Sequence, residues 1–310
     1  PGRQNGRSHA TARQFWRVEM TRDRSIRDLD CHSPAACEQA EVRIGGVRIA
    51  YETCGSGPPL VCCHAFAVDR TMWNLQRARF AESHQLITFD QRGCGESDHP
   101  ALEPGKPDPY TIDRFADDLR GVLDALGIQR ARILGLSMGA ATALRFAILW
   151  PERVEKLILA SAMASRLPEE IIQRAQKIIQ VLEKDGVRQA YRVYFGGPLF
   201  SGIAERRDGG IDLERMARHA TPEGFRGCFR VTIGRPSVVN DLHRITAPTL
   251  ILVGEKDIHY LDDAELMADR IPNARREIMQ GTGHAMSVEA PELFADEVLR
   301  FLTPLQPVSA

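Results

Sequence analysis

The polarity pattern of the chain changes character near Glu41. Residues 1–40 mix Arg, Ser, His and Asp with little periodicity, and read as a loosely ordered N-terminal extension. Beyond them Val42-Arg43-Ile44 alternates, Gly45-Gly46 supplies a turn, and Val47 to Tyr51 alternates again, which predicts a hairpin. Gly55-Ser56-Gly57-Pro58 breaks that pattern, and Pro59 to Cys63 is then apolar without interruption. Such a run suits a strand buried on both faces of a parallel sheet. Comparable runs recur at 86–89, 131–134, 154–160 and 249–253.

Helical patterns separate these runs. One opens at Thr111, a good N-cap, places Ile112, Phe115, Ala116, Leu119, Val122, Leu123 and Leu126 on one face, and stops at Gly127. A second runs from Met138 to Trp150 and halts before Pro151. Strand–helix alternation of this kind predicts an α/β fold, a mostly parallel central sheet flanked by helices. It fails between Met163 and Ile245, where the pattern is helical throughout. There Pro168-Glu169-Glu170 opens an amphipathic helix with Ile171, Ala175, Ile178 and Leu182 on its apolar face and Glu170, Gln173, Arg174 and Lys177 largely opposite. The expected organisation is a core of 41–162 and 246–310 interrupted by a helical cap, 163–245.

Composition narrows the function. Of 310 residues 43% are hydrophobic, enough for one large core, and 40 Lys+Arg against 41 Asp+Glu leave a net charge of −1. That balance provides no field for nucleic acid or an anionic membrane surface, so neither is expected as a partner. No window approaches the ~18 apolar residues of a membrane span, and the basic N-terminus lacks the apolar run of a secretory signal. The seven cysteines are scattered and odd in number, with no C-x-x-C pair, which is read as a reducing, cytoplasmic setting without zinc or redox chemistry. The expectation is a soluble globular enzyme.

The candidate chemistry starts at Gly135-Leu136-Ser137-Met138-Gly139, between the apolar run 131–134 and the helix that follows. A sharp strand–turn–helix with small flanking residues exposes the serine hydroxyl in a strained conformation, above a helix N-terminus that favours developing negative charge. A serine becomes a useful nucleophile only when a base takes its proton, and the base needs a carboxylate to fix its tautomer. Downstream, the run 249–253 ends in Gly254-Glu255-Lys256-Asp257, which puts Asp257 in the loop off a strand's carboxyl end; Glu255 is the competing acid. His284, in Gly281-Thr282-Gly283-His284, is alone among nine histidines in following a short strand-like stretch into a Gly-rich turn. Oxyanion donors are expected from the backbone N–H of Met138 and from the loop His64-Ala65-Phe66-Ala67, with Phe66 the choice and His64 a brace for the loop.

With these residues the chain resembles the α/β-hydrolase superfamily, specifically its esterase, haloperoxidase-like and enol-lactonase-like branch. The resemblance covers about residues 41–304 and rests on Gly135–Gly139, Asp90-Gln91-Arg92-Gly93-Cys94-Gly95-Glu96-Ser97, Gly254–Asp257, and Gly283-His284 followed by Glu289-Ala290-Pro291. It departs where that family has His-Gly and this chain has His64-Ala65, a position at which alanine is less free at positive φ. Trp73 resembles a tryptophan often found after that loop. Arg92-Gly93-Cys94-Gly95 looks like a nucleotide loop but lacks the third glycine and the helix start, so no nucleotide cofactor is expected. No clustered His/Asp/Glu set suggests a metal, and none is needed. The expected activity is that of a serine hydrolase acting on a small-molecule ester, lactone or related acyl substrate with water, through Ser137, His284 and Asp257. Perhydrolysis, C–C bond cleavage or enol-lactone hydrolysis on the same groups are alternatives, because function lives in the pocket; a non-catalytic ligand receptor or interaction protein is the alternative of another class. The cap's apolar face, with Tyr191, Tyr194, Phe195 and Phe200, is expected to roof an apolar acyl pocket, unless Arg226 and Arg230 point inward to clamp a carboxylate.

Overall fold

The computed structural model describes residues 37–197, 200 and 212–303. The N-terminal extension therefore lies outside the described residues as far as 36. The hairpin is longer than its alternation suggests: β1 (Cys37–Ile44) and β2 (Val47–Cys54) pair antiparallel over their full length around Gly45 and Gly46, both at positive φ. The apolar runs become β3 (Pro59–Cys63), β4 (Gln85–Phe89), β5 (Ala131–Leu136), β6 (Val154–Ala160) and β7 (Thr249–Gly254), followed by β8 (Ala274–Met279). They form one eight-stranded sheet in the order β1-β2-β4-β3-β5-β6-β7-β8, parallel from β4 to β8 and antiparallel at the β1–β2–β4 edge.

The central parallel strands β3, β5 and β7 feed both faces of the sheet, which is why their sequences show no alternation, whereas the edge strand β8 is half exposed. Val61 and Cys63 of β3 join the core beneath α2 (Ile112–Ala125), α3 (Met138–Leu149) and α8 (Leu261–Arg270). Leu60 and Cys62 point the other way, toward Phe80 of α1 (Asn74–Ala81) and Phe294 and Val298 of α10 (Pro291–Leu302), the last reached through the short α9 (Met286–Glu289). Trp73 is buried in this second core, stacked on Phe294 at 6.2 Å between centroids. Helix α2 begins where expected, the Thr111 hydroxyl accepting the Arg114 N–H at 3.3 Å, and ends before Gly127 at φ +69. Between β6 and β7 the described chain is helical: α4 (Glu169–Asp185), α5 (Val187–Phe195), α6 (Leu213–His219) and α7 (Pro222–Gly234), together called the cap below.

Cys31 lies outside the described residues, and the six cysteines within them behave in two ways. Cys37 and Cys54, paired across β1 and β2, form a disulfide, while Cys62, Cys63, Cys94 and Cys228 are buried thiols. Cysteine usage by itself therefore does not argue for a reducing compartment. Among the described residues no helix is long and apolar enough to cross a membrane.

Candidate active site

The turn from β5 into α3 is tight for a reason that can be read atom by atom. A Cβ placed on Gly139 would stand 2.1 Å from the Cys63 carbonyl oxygen, and one on Gly135 2.3 Å from the Gly139 carbonyl oxygen. Only glycine lets strand and helix approach so closely. Ser137, between them, is driven to φ +55, ψ −112, a conformation costly for any residue with a Cβ, and its N–H is tied to the Ala160 carbonyl of β6 at 2.9 Å. Its side chain is thereby lifted off the carboxyl end of the sheet.

Two further loops at the same sheet end meet it. Asp257 sits in the turn after β7, its N–H donating to the Gly254 carbonyl at 3.0 Å, and its side chain is buried. His284 follows β8 through Gly281 at φ +74, and Glu289 braces that loop by accepting the N–H groups of Gly283 (2.5 Å) and Ala285 (3.0 Å). His284 Nε2 lies 2.9 Å from Ser137 Oγ and its Nδ1 2.9 Å from Asp257 Oδ2. Glu255, the competing acid, is exposed and accepts the Gly281 N–H at 2.8 Å, on the outside of the same turn. A fourth residue belongs here that sequence reasoning missed. Ser161, at the end of β6 and at φ +45, is fully buried with its hydroxyl 2.8 Å from Asp257 Oδ2 and 3.1 Å from the His284 carbonyl oxygen. Asp257 Oδ1, by contrast, is buried without a hydrogen-bond partner.

Phe66 lies in the loop after β3, and Met138 opens α3 directly after Ser137. Neither the Phe66 nor the Met138 N–H has a hydrogen-bond partner among the described residues. His64 is buried, its Nε2 accepting the Gln91 N–H at 2.9 Å and its Nδ1 2.7 Å from the Ala65 carbonyl, which fixes a neutral Nδ1–H tautomer. Burial lowers its pKa in the same direction. Gln91 returns a bond to the His64 carbonyl (2.7 Å) and accepts the Thr142 hydroxyl (2.6 Å), locking the loop to α3. The strain expected at Ala65 is absent there; the positive φ, +59, falls at Ala67, where the chain turns after Phe66 instead of before it.

Above Ser137 a cavity of about 240 Å³ is lined by Phe66, Leu167, Ile171, Ala175, Ile178, Tyr194, Phe229, Tyr260 and His284, among others. Burial raises the pKa of the Tyr194 and Tyr260 phenols, so both stay neutral. Tyr191 does not line this cavity, and Phe195 and Phe200 border a smaller one beside Ser137. The charges also differ from expectation. Arg226 and Arg230 face Glu183 (3.9 Å) and Asp108 (2.8 Å) away from the cavity, whereas Arg174 and Lys177, placed opposite the apolar face by periodicity, stand at its rim. A helix lying over an open cleft presents its flanks as well as its buried stripe, and long side chains reach round.

A model of the alpha/beta hydrolase family matches residues 60–297. The chain belongs to that family. This α/β-hydrolase is 30% identical over 269 residues to a putative 2-succinyl-6-hydroxy-2,4-cyclohexadiene-1-carboxylate synthase of Bacillus subtilis, covering 84% of the chain and 96% of the relative. It is 26% identical over 251 residues to 3-oxoadipate enol-lactonase 2 of Acinetobacter baylyi, covering 80% and 90%. Among solved structures the enol-lactonase from Burkholderia xenovorans LB400 superposes on the hydrolase with a TM-score of 0.75 at 25% identity, covering 86% of this chain and 100% of that one.

Proposed function

We propose that this α/β-hydrolase is a serine hydrolase cleaving a carboxylic ester, lactone or related acyl substrate. The observation that carries the reading is the continuous path Ser137–His284–Asp257, with both contacts at 2.9 Å, opening onto an apolar cavity beside two unpartnered backbone N–H groups. In this reading His284 takes the Ser137 proton as Oγ attacks the carbonyl, and returns it to the leaving group. Asp257 fixes the His284 tautomer and stabilises the imidazolium. The Phe66 and Met138 N–H groups hold the oxyanion, and water, activated by His284, releases the acyl-enzyme. No step requires a metal or cofactor.

The helices of residues 163–245 act as the substrate-binding cap. A cavity of about 240 Å³ is below the ~300–1,000 Å³ of drug-sized ligand sites, so the acyl group is small to medium and apolar. A second reading keeps the same groups but takes an enol-lactone or other carboxylate-bearing substrate, favoured by Arg174 and Lys177 at the rim and by the enol-lactonases among the similar proteins. A cytoplasmic setting belongs to the proposal too. It is supported by four free thiols among the described residues, Cys94 and Cys228 only 3.6 Å apart among them, and opposed by the Cys37–Cys54 disulfide.

The test is turnover of p-nitrophenyl butanoate, unaffected by EDTA and abolished in Ser137→Ala. Absence of turnover across ester chain lengths and lactones would point instead to a non-catalytic receptor on the hydrolase fold. A clear preference for an acyl chain ending in a carboxylate would select the second reading.

A further inference from the structure

The loop that carries the Phe66 N–H is held by two different parts of the molecule. Where it leaves β3, the core holds it through the His64–Gln91–Thr142 bonds and through the Ala65 N–H, which donates to Met72 Sδ at 3.3 Å. From Phe66 to Asp69 further attachments come from the cap, before the core takes hold again at Arg70, whose N–H donates to Asp90 Oδ1 at 2.8 Å. The Phe66 ring, 2% exposed, is packed by Tyr194 of α5 (5.0 Å between centroids) and by Phe225 and Phe229 of α7 (4.9 and 5.0 Å). Ala67 then holds φ +59, a conformation an alanine keeps only when its surroundings enforce it.

Two residues on, Asp69 is almost wholly buried. Its Oδ1 accepts the Thr71 N–H (2.9 Å) and hydroxyl (2.5 Å), and its Oδ2 pairs with the Arg215 guanidinium of α6 at 2.6 Å. The same Arg215 nitrogen donates to Thr71 Oγ1 at 2.6 Å. The neighbouring cation, Arg70, is committed elsewhere, to Asp90 and Glu96. Arg215 is thus the ion-pair partner of Asp69 among the described residues. A buried carboxylate deprived of its cation is strongly unfavourable, so removing Arg215 forces the loop or its surroundings to move.

We propose that Arg215 is a positioning residue: by pairing with Asp69 it ties α6 of the cap to the loop after β3 and sets the Phe66 N–H where an oxyanion forms. The inference rests on the proposed function, in which that N–H is an oxyanion donor. It makes the cap part of the machinery for the chemical step as well as a roof for the substrate. Displacement of α6 withdraws the cation from Asp69, and displacement of α5 or α7 unpacks the Phe66 ring, so a shifted cap disassembles one of the two donors.

Arg215→Gln and Asp69→Asn in the full chain test this, with kcat and KM for p-nitrophenyl butanoate and the affinity for an alkyl trifluoromethyl ketone. That ketone forms a tetrahedral adduct with the serine and so reads the oxyanion site directly. Complete loss of one such donor costs ~10²–10³ in kcat, and a displaced donor is expected to cost about tenfold. The expected result is that fall in kcat, a KM within about twofold of wild type, a matching loss of ketone affinity, and substantial rescue in Arg215→Lys. Unchanged kcat and ketone affinity in folded Arg215→Gln overturns the proposal, and so does a rise in KM alone, which would make Arg215 a substrate contact. Should Arg215→Gln fail to fold, Asp69→Asn, which removes the buried charge along with the pair, carries the same expectation, and unchanged kcat and ketone affinity there overturn the proposal equally. Ser137→Ala separates the two levels: if it abolishes turnover while Arg215→Gln does nothing, the tether is wrong and the proposed function stands. Turnover that survives Ser137→Ala overturns the function, and the tether with it.

Discussion

Replacing Asp257 with asparagine is the sharpest probe of the proposed acid, because the two carboxylate oxygens have such different surroundings. Oδ2 takes two contacts, His284 Nδ1 at 2.9 Å and Ser161 Oγ at 2.8 Å, while Oδ1 is buried with no partner. An asparagine therefore has two poor choices. With its oxygen in the Oδ2 place it keeps the productive His284 tautomer but buries an unsatisfied NH₂, costing ~1–3 kcal/mol. With its nitrogen there it meets the Nδ1–H donor and drives His284 to the tautomer whose Nε2 carries a proton and cannot accept one from Ser137. Either way the negative charge that stabilises imidazolium is gone. The expected loss is ~10⁴ in kcat, about 5.5 kcal/mol of barrier at 1.36 kcal/mol per decade. The assay is initial rates on p-nitrophenyl butanoate between pH 7 and 9, with circular dichroism and a thermal melt to confirm the fold. Asp257→Asn retaining more than a tenth of wild-type kcat, or Glu255→Gln doing the greater damage while folded, would refute the assignment.

Three other outcomes are expected. Burial depresses the His64 pKa below its reference of 6.5, so the unfolded chain takes up a proton there before the folded one does. The stability this contributes is complete above pH 6.5 and lost as pH falls through 6.5 toward the depressed folded value; the wild-type thermal midpoint should drop between pH 7 and 5, less steeply in His64→Gln, and parallel curves would sink the idea. Ile178→Phe should fill part of the 240 Å³ cavity and cut kcat/KM for a hexanoyl ester ~10-fold or more while sparing the acetyl ester; an equal effect on both would place the acyl chain elsewhere. Gly139→Ala drives a Cβ to 2.1 Å from the Cys63 carbonyl and should cost ~3 kcal/mol or more, seen as a thermal midpoint lowered by ~6 °C or more; a wild-type melt would show that strand and helix can separate freely.

The sheet was legible because parallel strands buried on both faces announce themselves as largely apolar runs without alternation, and β3, β5, β6 and β7 fall on them, although Arg132 interrupts β5 and Glu155-Lys156 interrupt β6. Ser137 and His284 were legible from the glycines around them, since a turn that sharp leaves its mark in composition. Ser161 left no such mark. It stands after an ordinary strand, and it reaches Asp257 only because β6 pairs with β7, a contact no local pattern encodes. The order of the strands, the positive φ at Ala67 in place of Ala65, and the pairing of Arg215 with Asp69 are hidden for the same reason: each is fixed by packing between segments distant in the chain. Periodicity misplaces Arg174 and Lys177 because it gives the face of a helix and not the width of the cleft beneath it.

The connection from Ala160 to Thr249, which carries the cap, also has a bearing on how the molecule folds. It is about three doublings longer than the shortest strand-to-strand crossover, yet loop closure costs only ~0.6 kcal/mol per doubling, so an insertion of this size burdens the β6–β7 junction by roughly 2 kcal/mol. Its kinetic weight is greater. Ser137 is in place once β5 and α3 meet, but Asp257 and His284 arrive on β7 and β8, and these can dock only after the long connection has closed. During refolding, helical signal should therefore recover ahead of the ability to titrate Ser137 with an organophosphonate, and a nascent chain released before Thr249 would hold a formed serine turn that nothing activates.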